Sequence, residues 1–378
     1  MNSNTRLPYI EKTRLLVVKV GTSVLSDEGG RISSRAVGAL CRQLAKVRED
    51  GREAVLVTSG AIAAGVEKLG LKKRPSRLPE LQAAAAAGQG HLMGLYSHHL
   101  AEHGLNSAQL LLTREDFSER HRYLNARNTI LSLLRMGAVP IINENDTVST
   151  EEITFGENDT LSALVGGLVE AQLLILLTDV EGLVRKDAGE AQEVVKTIVK
   201  ITPETHKCVW EKKKSSMTVG GMESKLRAAE IAMEGGQSVI IANGNEPDIV
   251  PRLLKGEELG TFFPAKEEPI RGWKRWLGRA AILRGKVTVD DGATDALVER
   301  GKSLLPAGVV GVTGDFEAGE LVSICTASGR EFARGLSNYS SADLLRIKGL
   351  QCSDIPRVLG YCPYDEAVHR DNLLVLKG

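Results

Sequence analysis

Two lysines stand where a folded chain seldom places a charge. Lys19 lies inside the apolar run LLVVKV and is followed by Val20 and Gly21, whereas Lys225 comes shortly after two glycines at a predicted helix start. A buried charge is costly without a partner, and a cation near a helix N-terminus opposes the helix dipole. Lys19 could reach water and Lys225 could be merely exposed, but the pattern favours a phosphate held between them.

Four acidic side chains lie near the end of a predicted strand or at the start of the helix that follows it, so we expect them at one edge of the sheet. They are Glu144, Asp146, Glu157 and Asp159. Asn158 or Asp159 alone could be only a helix cap, but capping does not explain four carboxylates converging with two lysines. Carboxylates can hold Mg²⁺ or orient a lysine ammonium.

Lysines and carboxylates without an evident catalytic histidine or Ser–His pair favour phosphoryl transfer, which depends on positioning and charge stabilisation. A carboxylate acceptor would need no general base, because a carboxylic acid with a pKa of about 4.3 is already ionised at pH 7. The remaining obstacle is repulsion between the acceptor and the γ-phosphate. Lysines and Mg²⁺ reduce that repulsion, so we expect ATP as co-substrate together with Mg²⁺.

The elements that must position these residues alternate between strand and helix through residues 1–265. Short apolar runs are typical of strands buried on both faces. The helical spacing after Ser33 or Ser34, either of which can cap it, predicts a long helix. We therefore predict an α/β fold, with a mostly parallel open sheet and helices on both faces.

Ligands of such sheets bind beyond the carboxyl ends of the strands, and small or polar residues follow each predicted strand. Gly21 comes after the first strand, Ser59 and Gly60 after the second, and Thr178 and Asp179 after LLILL. Glycine there lets a ligand approach the backbone. The P-loop motif is absent, and no GxGxxG follows the first strand.

The pattern changes after residue 265. Residues 266–284 are polar and basic and predict a linker, whereas short segments separated by glycine-rich turns in 285–362 predict a small β-rich domain. Residues 363–378 are interpreted as a C-terminal tail.

The bulk composition excludes several classes. The chain of 378 residues has a formal net charge of zero, which gives no general attraction to nucleic acids or membranes. It contains no apolar run of membrane-spanning length and no apolar segment near the N-terminus that would indicate a signal peptide, so we expect a cytoplasmic protein. The scattered cysteines argue against a disulfide framework or a zinc site. His99 and His103 could share a metal, but without an evident third ligand we interpret them as a solvated helix face and assign no metal ligand.

Segments throughout the chain resemble the glutamate 5-kinase (γ-glutamyl kinase) family, which has the amino acid kinase fold. They read VVKVGTSVL, VTSGAIAAG, LLLTREDFSERHRYLNARNT, VPIINENDTVS, GENDTLSALV, LLTDVEGL and GGMESKL. The stretch from Gly285 to Ile324 resembles the C-terminal PUA domain of that family. The resemblance makes residues 1–265 an amino acid kinase domain and 285–362 a PUA domain.

The resemblance implies that ATP phosphorylates the γ-carboxylate of L-glutamate to give L-glutamyl 5-phosphate, the first step of proline biosynthesis. It also implies feedback inhibition by proline and a homo-oligomer, either a dimer or a tetramer. Lys19, Lys225 and Asp159 would be catalytic, with Asp159 orienting both lysines.

Further roles follow from the same resemblance. Ser59, Asp146 and Asn158 would bind glutamate. The residues implied for ATP binding are Lys19, Gly21, Gly60, Thr178, Asp179, Val219, Gly220, Gly221, Met222, Glu223, Ser224 and Lys225. Two departures are Glu157, where the family commonly has Asp, and the poorly matching segment 186–219, which includes the expected nucleotide lid.

Two alternatives differ in substrate class. An acetylglutamate, aspartate or uridylate kinase of the same fold would share the lysines but not this substrate segment. An RNA-binding protein would act through the PUA domain, but residues 285–362 hold eight Lys or Arg and ten Asp or Glu. A surface that follows phosphates is basic, so we expect no RNA partner.

Overall fold

A computed structural model of the chain describes residues 5–117, 120–148, 157–185, 193–203, 205–206, 221–266 and 283–376. The chain divides into two compact units. The first holds Met1–Thr113 and Asn125–Pro269, and the second holds Arg114–Leu124 and Ile270–Gly378. Most of the predicted linker and most of the divergent segment 186–219 lie outside the described residues.

The first unit is built on a seven-stranded sheet, with a two-stranded hairpin, β6–β7, apart from it. The strands in chain order are β1 (Leu15–Val20), β2 (Glu53–Thr58), β3 (Asn106–Leu112), β4 (Ala138–Glu144), β5 (Leu173–Thr178), β6 (Val184–Arg185), β7 (Glu193–Val194), β8 (Ser238–Asn243) and β9 (Thr261–Phe263). The order in space is β3-β4-β2-β1-β5-β8-β9. Within this sheet β9 is antiparallel to β8 and the other neighbours are parallel, which confirms the predicted α/β class.

The helices described up to residue 266 include the one predicted after Ser33 or Ser34, which begins at Ser34. They are α1 (Leu7–Glu11), α2 (Thr22–Leu25), α3 (Ser34–Glu49), α4 (Ala61–Lys68), α5 (Leu78–Ala101), α6 (Arg120–Arg135), α7 (Glu157–Leu168), α8 (Gly221–Glu234) and α9 (Ile249–Leu254). The hydroxyl of Ser33 caps α3 by accepting from the backbone N–H of Ala36.

The alternation of side chains along β1 decides where its lysine points. Leu16, Val18 and Val20 belong to a buried core that also contains residues of α3 and α5. Successive side chains of a strand point to opposite faces, so Lys19 points to the other face, where α7 packs on β1. The central strand thus carries its charge towards α7.

The second unit has a five-stranded sheet and its own buried core. Its strands and helices are β10 (Gly285–Val289), α10 (Asp291–Val298), β11 (Val309–Gly314), β12 (Leu321–Cys325), β13 (Glu331–Leu336), α11 (Ser341–Ile347), α12 (Ile355–Leu359) and β14 (Leu373–Val375). The order is β11-β10-β12-β13-β14. The segment expected to be a tail therefore supplies the edge strand β14.

Among the described residues, every helix is too short or too polar to cross a lipid bilayer.

Two glycines allow α4 and α5 to cross with their backbones in contact. A Cβ atom on Gly65 would overlap the carbonyl group of Ala84, and one on Gly88 would overlap the carbonyl oxygen of Ala61. Because α4 starts directly after Ser59 and Gly60, this crossing fixes the position of the second strand end.

We predict that Gly88→Ala lowers the free energy of unfolding by about 1–3 kcal/mol or more, because the added methyl group forces the two helices apart. The matched control is Gly90→Ala in the same helix, where a Cβ meets no atom within 4 Å. That change should stabilise the protein by up to about 1 kcal/mol through helix propensity. Urea unfolding measures both; equal effects at the two positions would contradict the close crossing.

Candidate active site

The carboxyl ends of three parallel strands lie side by side. Val20 of β1 is in register with Thr58 of β2 and Leu177 of β5. The backbone N–H of Ser59 donates to the carbonyl oxygen of Val20 at 3.2 Å, and that of Gly21 donates to Leu177 at 3.3 Å. The residues that follow the strands therefore form one edge.

A buried carboxylate joins the two lysines at this edge. Oδ1 of Asp159 lies 2.6 Å from Nζ of Lys19, and Oδ2 lies 3.3 Å from Nζ of Lys225. The hydroxyl of Ser224 donates to the same Oδ2 at 2.7 Å. We call these four residues the lysine–aspartate cluster. Asp159 is 1% exposed, Lys19 5% and Lys225 8%.

The four members of the lysine–aspartate cluster come from near the ends of three elements. Lys19 is near the end of β1, Asp159 is the third residue of α7, and Ser224 and Lys225 are in the first turns of α8. Nζ of Lys225 also donates to the carbonyl oxygen of Gly221 at 2.8 Å. Two ammonium groups face one carboxylate, so the cluster has an excess of one positive charge and suits an anion.

The pKa values of the cluster have opposing causes. Burial raises the pKa of Asp159, but the charges of Lys19 and Lys225 and the hydrogen bonds from Lys19 and Ser224 outweigh it, so this pKa lies below its ordinary value. Burial lowers the pKa of Lys225; Asp159 opposes that shift and the Lys19 charge adds to it. Holding Lys225 charged therefore costs free energy.

Gly21 and Gly60 are glycines for different reasons. Gly21 has φ −80° and ψ 158°, a conformation open to any residue, but a Cβ there would lie 3.8 Å from Nζ of Lys19. The missing side chain leaves space beside that ammonium group. Gly60 has φ 105°, a left-handed conformation that favours glycine. The backbone conformation alone therefore explains why this residue is glycine.

A backbone hydrogen fixes the orientation of three side-chain amides. The N–H of Glu144 donates to Oδ1 of Asn143 at 2.9 Å, so Nδ2 of Asn143 must be the donor that reaches Oε1 of Gln89 at 2.8 Å. Nδ2 of Asn158 donates to that same Oδ1 and to Oγ of Ser59, both at 3.1 Å. We call Gln89, Asn143 and Asn158 the amide chain.

The amide chain ends in two buried atoms that lack a hydrogen-bond partner among the described residues. One is Nε2 of Gln89, a donor, and the other is Oδ1 of Asn158, an acceptor. Unpaired buried polar atoms are costly, and a ligand that brings an acceptor to Gln89 and a donor to Asn158 would satisfy both. A carboxylate and an ammonium group are one such combination. An α-amino acid carries both.

Comparison with known proteins assigns the chain to a family. Residues 14–243 match the amino acid kinase family and residues 285–359 match the PUA domain. A glutamate 5-kinase of Moorella thermoacetica is 48% identical over 97% of this chain and 97% of its own length. The chain belongs to the amino acid kinase family.

A second curated relative agrees with this assignment, and one solved structure is similar to part of the chain. A glutamate 5-kinase of Caldanaerobacter subterraneus is 46% identical over 96% of this chain and 98% of its own length. The solved carbamate kinase of Giardia is 16% identical with a TM-score of 0.46, covering 67% of this chain and 99% of that chain. That TM-score is too low to carry an argument, so membership of the amino acid kinase family rests on the sequence matches. These confirm the resemblance, including the PUA domain.

The other residues predicted for this amino acid kinase site lie around the lysine–aspartate cluster or outside the described residues. Thr178 is buried and donates to Oδ1 of Asp179 at 3.1 Å, and Asp179 acts electrostatically on Lys225. Met222 and Glu223 are in the first turn of α8. Val219, Gly220 and the side chain of Glu157 are not among the described residues.

Asp146 follows β4 and acts on a residue that the sequence reasoning missed. Burial lowers the pKa of the Arg74 guanidinium, and the Asp146 charge partly restores it. Gln89 and Asn143 were also missed. Asn143 carried a signal, since it is a polar residue at a buried strand end; Gln89, within the alanine-rich α5, carried none.

We predict opposite effects on stability for two substitutions in the lysine–aspartate cluster. Asp159→Asn leaves two buried ammonium groups without a counter-charge and should lower the free energy of unfolding by about 3–5 kcal/mol at pH 7. Lys225→Met removes a buried charge whose pKa burial depresses, so it should leave stability unchanged or raise it. Urea unfolding of the three proteins tests this; a large loss for Lys225→Met would contradict it.

The effect of Asp159→Asn should also depend on pH. Because folding lowers the pKa of Asp159, its stabilising contribution is fully present above the pKa of the unfolded chain and is lost as the pH falls through the folded pKa. The difference in the free energy of unfolding between wild type and Asp159→Asn should therefore become smaller in acid. If this difference becomes larger instead, folding does not favour the ionised carboxylate of Asp159.

Proposed function

We propose that this chain transfers the γ-phosphoryl group of ATP to the γ-carboxylate of L-glutamate, giving L-glutamyl 5-phosphate in proline biosynthesis. Relatives named glutamate 5-kinase match nearly its whole length at 46–48% identity. The observation that carries the chemistry is the lysine–aspartate cluster, in which one buried carboxylate holds two ammonium groups.

The two lysines act on charge rather than on protons. The acceptor carboxylate is already ionised at neutral pH, so its oxygen attacks the γ-phosphorus while the bond to the β,γ-bridging oxygen breaks and ADP leaves. Lys19 and Lys225 lie on either side of Asp159 and stabilise the charge on the transferring group. Asp159 keeps the two like charges together before the substrates bind.

Mg²⁺ is expected to enter with the nucleotide. Both carboxylate oxygens of Asp159 are engaged by lysines and Ser224, so this residue does not suit an ion of its own. Mg²⁺ typically takes substrate phosphates and water as ligands. The exposed Asp179, one of the residues expected to bind ATP, is a candidate protein ligand. When bound, the ion neutralises charge on the phosphates.

The amide chain is proposed to recognise the α-amino acid end of glutamate. Nε2 of Gln89 would donate to the α-carboxylate and Oδ1 of Asn158 would accept from the α-ammonium, with Ser59 and Asp146 completing the pocket. Proline carries the same two groups, which is the chemical basis for proposing it as an inhibitor at this end. Assembly as a homo-oligomer and a cytoplasmic location are proposed from the resemblance alone.

The test of the function traps the acyl phosphate with hydroxylamine. The purified full-length chain is incubated with ATP, Mg²⁺ and one acceptor at a time: glutamate, N-acetylglutamate, aspartate or uridylate, with ADP release followed for uridylate. We expect hydroxamate with glutamate, less of it with added proline, and ADP release with uridylate no greater than without an acceptor. Turnover of uridylate but not of glutamate would overturn the assignment. The variant Lys225→Met should lose turnover of glutamate while the protein stays folded.

We predict that Gly21→Ala lowers kcat at least tenfold without lowering the thermal midpoint. The backbone conformation at Gly21 is open to alanine, and the new methyl group would lie at ordinary contact distances of 3.7–3.8 Å from its neighbours. It would, however, occupy the space beside Lys19 in which we place the phosphate. Gly94→Ala, where a Cβ meets no atom within 4 Å, is the control and should keep kcat. If Gly21→Ala keeps the kcat of the wild type, the proposal that the phosphate lies beside Lys19 is wrong.

We predict that Gln89→Glu raises the KM for glutamate about 10-fold to 100-fold, from loss of a hydrogen bond to a charged group. Glutamate at position 89 keeps an oxygen for Asn143 but turns the free donor into an acceptor that repels a carboxylate. The KM for ATP should stay unchanged. Gln89→Met removes the donor and also the acceptor for Asn143, but it adds no negative charge beside the bound carboxylate. Its effect on the KM for glutamate should therefore be the smaller one; the reverse order would contradict the assigned orientation.

A further inference from the structure

A group of metal-ligating side chains occupies the last turn of α5, built from none of the residues of the lysine–aspartate cluster. His98 and His99 are in that turn, and Glu102 is the residue that ends the helix. Nε2 of His98 lies 3.5 Å from Oε1 of Glu102, and Nδ1 of His99 lies 3.1 Å from Oε2. The ligand atoms of all three residues lie within 4.8 Å of one another.

These separations are close to those of a small tetrahedral ion. Zinc binds imidazole nitrogen and carboxylate oxygen at about 2.0–2.2 Å, so two ligand atoms of a tetrahedral site are about 3.3 Å apart. The two measured distances fall on either side of that value but end on different oxygens of Glu102, and the three ligand atoms together span up to 4.8 Å. Rotation of the side chains, of which that of His98 is 70% exposed, would close the site while the helix stays in place. We propose that His98, His99 and Glu102 form a site for a zinc-like divalent transition ion, with a solvent molecule as the fourth ligand.

The surroundings of His99 hold its ring in place. Nε2 of His99 lies 2.9 Å from the hydroxyl of Ser34 at the start of α3. The ring lies against Gly38, where a Cβ atom would come within 3.1 Å of Nδ1, and the side chain is 15% exposed. A hydroxyl can donate or accept, so Ser34 can support the tautomer in which Nδ1 is free to bind metal. Such outer partners orient metal-bound histidines.

The charge at this position also favours a cation. Glu102 places a carboxylate beside both imidazole rings, and zinc accepts carboxylate oxygen as a ligand. The C-terminal end of a helix carries partial negative charge and stabilises cations. Neutral imidazole is the form of histidine that binds metal.

The spacing explains why the sequence drew attention to a different pair of histidines. Residues three and four apart share a helix face, so His98 and His99 both meet Glu102. His103 comes after the helix ends, where its backbone N–H closes a turn on Leu100. His99 and His103 were considered together because they are four apart, and Glu102 was not counted as a third ligand.

The test titrates the metal-stripped full-length protein with ZnCl₂ by calorimetry and with CoCl₂ by visible absorption, without nucleotide. We expect one saturable site per chain in both titrations. His98→Ala and Glu102→Gln should each weaken binding at least about tenfold, and Ser34→Ala should weaken it less. The His98 side chain is 70% exposed, so its removal leaves folding intact. His103→Ala is the control and should bind as wild type does.

Three results would overturn the proposal. The first is no saturable Zn²⁺ binding by the wild-type protein. The second is binding that survives both His98→Ala and Glu102→Gln or is lost in His103→Ala. The third is a thiolate charge-transfer band in the Co²⁺ spectrum, which would assign the ion to cysteines instead.

Discussion

The arrangement of this protein depends on one buried carboxylate that must serve two ammonium groups. Asp159 is almost fully buried, and a buried charge is tolerated only when its partners are held at short range. Those partners come from β1 and from α8, elements far apart in the sequence. The order of the central strands, the start of α7 and the start of α8 are thereby fixed relative to one another, and the binding edge follows from them.

The same constraint shows how far the sequence could be interpreted. The apolar runs predicted the strands, and a lysine within such a run marked Lys19, because both signals are local. Asp159 and Lys225 could be placed at one sheet edge because parallel strands end together. Gln89 could not be found from the sequence. Its orientation is set by Asn143, whose own amide is oriented by the backbone N–H of Glu144, and these contacts exist only in the folded chain. Glu102 was missed for a different reason: it lies beyond the regular helix, and pairing histidines by spacing alone passed over it. The strand β14 was missed because a short segment pairs only once the rest of its sheet exists.

Binding and stability are opposed in the lysine–aspartate cluster. Burial depresses the pKa of Lys225, so keeping this lysine charged costs free energy. Binding of an anion offsets that cost. The amide chain has the same character, since its free donor and free acceptor are buried without partners among the described residues. Both ends of the site should therefore gain free energy when a ligand pairs with them, and the side chains that would pair with it are already held in place.

The alternation of β1 has a consequence for how this chain can vary in length. Lys19 faces α7 only because it lies four positions, an even number, after Leu15, which begins the strand. Inserting or deleting one residue within the strand would turn the lysine into the core shared with α3 and α5 and turn a valine or leucine towards Asp159. A change of two residues would restore the face but move the ammonium group about 7 Å along the strand. A change in the length of β1 would therefore move Lys19 away from Asp159, and this strand tolerates substitution better than insertion or deletion.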